Sequence, residues 1–94
     1  MMDTSRLHAI VSGRVQGVNF RYYTTHEAQR LRLTGWVRNN SDGTVEVMAE
    51  GTREQLNEML AFLKVGSPAA EVKDVKTDWQ DATGEFTEFR TRYV

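Results

Sequence analysis

Between Leu7 and Ser12 the apolar Leu7, Ala9 and Val11 alternate with His8, Ile10 and Ser12. That period of two predicts a strand with one face better buried, ended by Gly13. Beyond a loop, Phe20, Thr24, Ala28 and Leu31 recur at spacings of four, four and three, as one side of a helix would, and Gly35 reads as its stop signal. Trp36 to Arg38 predicts a short second strand, and Asp42-Gly43 turns the chain into a third, Thr44 to Glu50, with Val45, Val47 and Ala49 on one face. Thr52 followed by Gln55 fits a capping box opening a second helix, whose Leu56, Met59, Leu60 and Leu63 follow the i, i+3, i+4, i+7 pattern. Gly66 and Pro68 close it. Val75, Thr77 and Trp79 alternate in a fourth strand; after an irregular stretch from Ala82 to Glu85, Phe89, Thr91 and Tyr93 alternate with Arg90 and Arg92 in a fifth.

The order strand, helix, strand, strand, helix, strand is that of a ferredoxin-like α+β sandwich, here with an additional C-terminal strand. It predicts two helices on one face of a mixed, largely antiparallel five-stranded sheet, in a single domain spanning residues 1–94. The crossover through the first helix makes the first and second strands parallel. The ends of those strands, at Gly13 and at Arg38-Asn39, should therefore lie along one edge.

Composition narrows the chemistry. A net charge of -1 with acids and bases interspersed gives no broad positive field, so nucleic acid and anionic membranes are not expected as partners, and an anion site must be local. The absence of cysteine removes disulfides, thiolate metal sites and a cysteine nucleophile. Scattered acids such as Asp78, Asp81 and Glu85 lack metal-ligand spacing. No apolar run reaches signal-peptide or membrane-spanning length, so a cytoplasmic protein is the expectation, and it is expected to act as a monomer.

The loop Gly13-Arg14-Val15-Gln16-Gly17-Val18-Asn19-Phe20-Arg21 leads from a strand end into a helix start. Unpaired N–H groups and the positive end of the helix dipole favour an anion there. Gly13 and Gly17 permit the backbone angles that turn successive N–H groups inward, although two glycines four apart are equally at home in an ordinary turn. Arg21 falls in the first helical turn, where a cation is disfavoured by the dipole unless an anion sits beside it, and its guanidinium offers paired donors to two phosphate oxygens. Asn39 either belongs to the turn Asn40-Ser41-Asp42-Gly43 or, by the topology, faces the loop carrying Arg21. An amide can hold a water but cannot take its proton at neutral pH. A site with no strong base can only position and neutralise, which is what phosphoryl transfer through a loose transition state chiefly needs. The leaving group must then be good already, as a carboxylate is, with an acid pKa of about 4. An acyl phosphate is the substrate class that these groups fit.

Gly13 to Arg21, together with Gly35-Trp36-Val37-Arg38-Asn39, closely resembles the two signatures of the acylphosphatase family, and the resemblance continues through Asp42-Gly43-Thr44, Gly51, Gly66-Ser67-Pro68 and Arg92-Tyr93. It implies metal-independent hydrolysis of acyl phosphates to a carboxylate and inorganic phosphate, with no cofactor. By motif position it implies Arg21 as the phosphate-binding catalytic arginine and Asn39 as the residue orienting the attacking water. The amides of Val15, Gln16, Gly17, Val18, Asn19 and Phe20 would form the phosphate cradle. The substrate itself would help accept the water proton. Asn19 departs from the smaller or different side chain that relatives often carry, and Val94 extends one residue past a tyrosine that often ends such chains.

Other residues read as structural. His8 in a strand and His26 two turns into a helix have no evident partner, and Trp79, Phe89 and Tyr93 read as core aromatics of late strands. Two other functions fit a ferredoxin-like fold: an RNA-binding sheet, against which the third strand's lack of basic and aromatic residues argues, and a regulatory module that binds phosphate without hydrolysis.

Overall fold

A computed structural model describes residues 3–93; Met1, Met2 and Val94 lie outside them. The elements are β1 (Thr4–Arg14), α1 (Phe20–Arg30), β2 (Thr34–Asn39), β3 (Val45–Thr52), α2 (Arg53–Val65), β4 (Glu71–Asp81) and β5 (Phe89–Thr91). The sheet order is β4-β1-β3-β2-β5, antiparallel throughout except for the parallel pair β2 and β5. This is the expected ferredoxin-like sandwich with its added strand.

One face of the sheet is apolar because the period-two pattern makes it so. Leu7, Ala9 and Val11 of β1, Val37 of β2 and Val45, Val47 and Ala49 of β3 are fully buried. Phe20, Thr24 and Ala28 of α1 and Leu56, Met59 and Leu63 of α2 pack into the same core. Thr52 opens α2 with the expected capping box: its hydroxyl accepts from the Gln55 N–H at 3.1 Å while the Gln55 side chain accepts from the Thr52 N–H at 3.0 Å. Among the described residues, no helix is long and apolar enough to cross a membrane.

The register decides where the two strand ends meet. Val45 of β3 is the partner of both Val11 and Asn39, so Asn39 stands level with a residue two before Gly13, with one strand between them. Only that strand separates the end of β2 from the loop after β1.

Three glycine and boundary expectations are corrected. Gly13 does not end β1 but sits at its bulge, with φ 122°, where a Cβ would lie 2.2 Å from the Glu71 carbonyl oxygen. Gly35 does not stop α1; it lies inside β2, with φ 137°, pressed against the Met48 carbonyl. The helix stops four residues earlier in a Schellman motif: the N–H of Leu33 donates to the Ala28 carbonyl at 2.9 Å and that of Arg32 to the Gln29 carbonyl at 3.1 Å. The left-handed residue there is Arg32, φ 60°, with no glycine to mark it. β5 holds only three residues, because Tyr93 leaves the sheet; it is 78% exposed and not part of the core, whereas Phe89 is buried as expected.

Candidate active site

The loop between β1 and α1 is nailed down by its apolar residues. Val15 and Val18 are buried in the core, while Gly17 and Asn19 stay exposed. Gly17 (φ 74°) and Asn19 (φ 62°, ψ 24°) both take left-handed backbone angles, which turns the intervening peptide groups. A Cβ on Gly17 would meet nothing within 4 Å, so its backbone angle and not crowding calls for glycine. Asn19 is the N-cap of α1, yet its side chain caps nothing and the first turn carries no acid. Among the described residues, none of the N–H groups from Val15 to Phe20 reaches a protein acceptor. A helix start without capping acceptors concentrates donors and positive potential at one point.

Two side chains from elsewhere in the fold hold this loop. The buried Ser67 hydroxyl donates to the Val18 carbonyl at 2.7 Å, which keeps that oxygen turned away from the loop's donors. The Gln16 carboxamide donates to the carbonyls of Asn40 at 2.7 Å and Thr44 at 2.9 Å, tying the loop to the β2–β3 turn. Gly66 lets the α2 end approach closely, since a Cβ there would fall 2.5 Å from the Phe20 ring.

Arg21 is half-buried in the first turn of α1 and forms no ion pair among the described residues; its guanidinium carbon lies 5.3 Å from the centre of the Tyr93 ring. Asn39 closes β2 on the helix-facing side of the sheet, and its Oδ1 is buried without any protein donor. The turn is built by other groups. Asn40 donates through Nδ2 to the Thr44 hydroxyl at 3.0 Å and accepts from Arg38 Nε at 3.2 Å, while Asp42 accepts from the Thr44 N–H and hydroxyl at 3.0 and 2.7 Å. The turn therefore makes no use of the Asn39 side chain.

Val15, Gly17, Asn19, Phe20, Arg21 and Asn39 all line one cavity of about 420 Å³. Gln16 and Val18 do not, because the first points its side chain at the turn and the second into the core. Tyr22, Thr25, His26, Gln29, Thr91 and Tyr93 complete the wall. Of these, Tyr22, His26 and Gln29 recur at spacings of four and three from the residue after Arg21, a helical signal present in the sequence. Tyr93 carried only a strand alternation, which pointed to the core. His26 has a partner after all: its ring lies 6.4 Å from that of Tyr22 at 25° between planes. His8 has one too, with Nε2 at 2.6 Å from Glu46 Oε2 on the open face of the sheet. Burial there works against the Glu46 carboxylate, but His8 and Arg38 outweigh it and hold its pKa below the usual value. Among the described residues, no three His, Cys, Asp or Glu side chains converge to hold a metal ion.

The arrangement brings to one cavity the loop with its free N–H donors, a guanidinium without an ion pair among the described residues, and Asn39 with its unpartnered amide oxygen, which suits an anion with a polar neighbour. A family model described as acylphosphatase matches residues 7–91. The acylphosphatase of Pelotomaculum thermopropionicum is 48% identical over 92 residues, covering 98% of this chain and all of that protein. That of Acaryochloris marina is 52% identical over 83 residues, 88% of either chain. The crystal structure of acylphosphatase from Bacillus subtilis superposes with a TM-score of 0.92 at 38% identity, covering 95% of this chain and 99% of that one. With the family model matched over most of its length, full-length relatives near half identity and a solved member of the same fold, this chain belongs to the acylphosphatase family.

Proposed function

We propose that the chain hydrolyses acyl phosphates to a carboxylate and inorganic phosphate, without a metal ion or cofactor, at the cavity between the β1–α1 loop and the end of β2. The observation that carries this reading is that Asn39, whose buried Oδ1 has no protein partner, lines the same cavity as Arg21 and the loop. A buried acceptor costs about 1–3 kcal/mol if nothing donates to it, so a group that brings a proton donor is welcome there.

The phosphoryl group lies in the cradle of N–H groups from Val15 to Phe20, and Arg21 donates to two of its oxygens. Asn39 accepts a hydrogen bond from a water and fixes its oxygen in line with phosphorus. The water oxygen bonds to phosphorus as the bond from phosphorus to the acyl oxygen breaks; the bonding pair leaves with the carboxylate. The water proton passes to a phosphoryl oxygen of the substrate, since no residue around the cavity is needed as a base. A carboxylate requires no general acid to depart, which is why this set of groups suffices for an acyl phosphate and not for an alkyl ester. The cavity and the family both support this reading.

The test is phosphate release from acetyl phosphate in the presence of EDTA by wild type, Arg21→Ala and Asn39→Ala. Wild-type turnover with each variant reduced by about 100-fold or more is the expected result, Arg21 acting chiefly on binding and Asn39 chiefly on kcat. No turnover in wild type would reduce the site to a phosphate-binding module, and full activity in either variant would remove that residue from the mechanism.

A further inference from the structure

The cavity does not end at the phosphate cradle. Of the four large exposed hydrophobic side chains among the described residues, Tyr22 and Tyr93 line it, and Tyr23 packs edge-on against Tyr22 with centroids 5.5 Å apart; Val65 alone lies elsewhere. Tyr22 is 66% exposed, a poor place for a ring that serves only stability. His26, one turn further along α1, lies beside it with its ring plane within 25° of parallel, and Gln29 extends the same wall by another turn. Two near-parallel flat rings thus stand at the mouth.

Helix geometry sets which part of the substrate meets them. The proposed cradle lies at the N-terminus of α1, and Tyr22, His26 and Gln29 line the same cavity at successive turns away from it, so the acyl part of a substrate whose phosphoryl group is held at the cradle runs past Tyr22 and His26. We infer that Tyr22 and His26 form an acyl subsite that selects planar, conjugated acyl groups over saturated ones of the same size. The inference rests on the acyl phosphate reading of the cavity. Its physical basis is that a flat π-system meets the edges and faces of these rings in offset geometry, which a puckered ring cannot do.

Benzoyl phosphate and cyclohexanecarbonyl phosphate compare six-membered rings that differ in planarity. Their kcat/KM ratio in wild type, Tyr22→Leu and His26→Ala removes the intrinsic reactivity of the two esters from the comparison. The ratio is expected to fall about fivefold in each variant. An unchanged ratio in both variants would overturn the subsite. Binding of the non-hydrolysable benzoylphosphonate and cyclohexanecarbonylphosphonate, followed by the ring proton shifts of Tyr22 and His26, separates this inference from the reaction. If wild type hydrolyses neither phosphate, the hydrolytic reading fails, while tighter benzoylphosphonate binding that is lost in the variants still upholds the subsite. Equal binding of the two phosphonates, with no shift of either ring, would dismiss it whatever the turnover.

Discussion

Gln16 in the β1–α1 loop donates through one nitrogen to the main-chain carbonyl of Asn40, the residue next to Asn39, at 2.7 Å, and to that of Thr44 at 2.9 Å. The loop proposed to hold phosphate and the strand end proposed to hold water are therefore joined by a single side chain, 24 residues away in sequence from the first of its acceptors. Replacing it with alanine removes both bonds and leaves the two walls of the cavity free to drift apart. Gln16→Ala should lower kcat/KM for acetyl phosphate about tenfold, with a loss of stability of about 1–2 kcal/mol in urea unfolding. Normal activity in a destabilised variant would show the tie to be structural only.

Ser67 serves the loop from the other side. Ser67 is 2% exposed, and its hydroxyl is the donor that reaches the Val18 carbonyl. In Ser67→Ala that carbonyl loses its partner in a buried setting, and the peptide can rotate to bring its oxygen toward the anion. KM should rise more than kcat falls, and the protein should lose about 1–3 kcal/mol of stability. Ser67→Thr, which keeps a hydroxyl, should restore part of the KM; no difference between the two variants would argue against the bond as the cause.

Glu50 makes the fold sensitive to acid away from the cavity. It is buried beneath the stretch that follows β4, accepting from Arg6 Nε at 2.7 Å and from the N–H groups of Thr83 and Gly84 at 2.9 and 3.0 Å. Burial opposes its charge, but those amides and the guanidinium prevail and hold its pKa below the ordinary value of 4.5. A carboxyl with a depressed folded pKa contributes stability that is present above its unfolded pKa and is lost as pH falls through the folded one. Thermal unfolding should therefore change little from pH 7 to 5 and fall steadily below about 4.5. Glu50→Gln should cost about 3 kcal/mol at neutral pH, and the gap from wild type should narrow in acid. A gap independent of pH would show that the charge of Glu50 is not what stabilises the segment.

Most elements were legible because burial follows period. Leu7, Ala9 and Val11, or Leu56, Met59 and Leu63, announce their faces without help from the rest of the chain. The placement of Asn39 was legible for a different reason: crossover handedness makes β1 and β2 parallel, so topology alone brings the two strand ends together. What stayed hidden depends on contacts between distant segments. Gly35 resembles a helix stop, and only the carbonyl of Met48 on the neighbouring strand reveals that it belongs to β2. Tyr93 alternates with core residues of β5 until the strand ends at Thr91, after which its ring swings out over Arg21. The roles of Gln16 and Ser67 rest on acceptors that are ordinary backbone carbonyls, which leave no mark in the residue types.

The end of α1 is the place where residue type and backbone disagree most. Arg32 occupies the left-handed position of the Schellman motif, with φ 60°, where glycine is the usual residue. A side chain in that conformation costs roughly 1–2 kcal/mol, and glycine gives back about 0.5–1 kcal/mol of this through the freedom it has in the unfolded chain. Arg32 is exposed and forms no ion pair among the described residues, so its removal forfeits little packing. Both motif bonds use the backbone and survive the change. Arg32→Gly should therefore stabilise the protein by about 0.5–1 kcal/mol, raising the melting temperature by about 4 °C for a chain of this size, with acyl phosphate turnover unaltered. A lower melting temperature would mean that the arginine contributes more through its long aliphatic stem than its strained backbone costs.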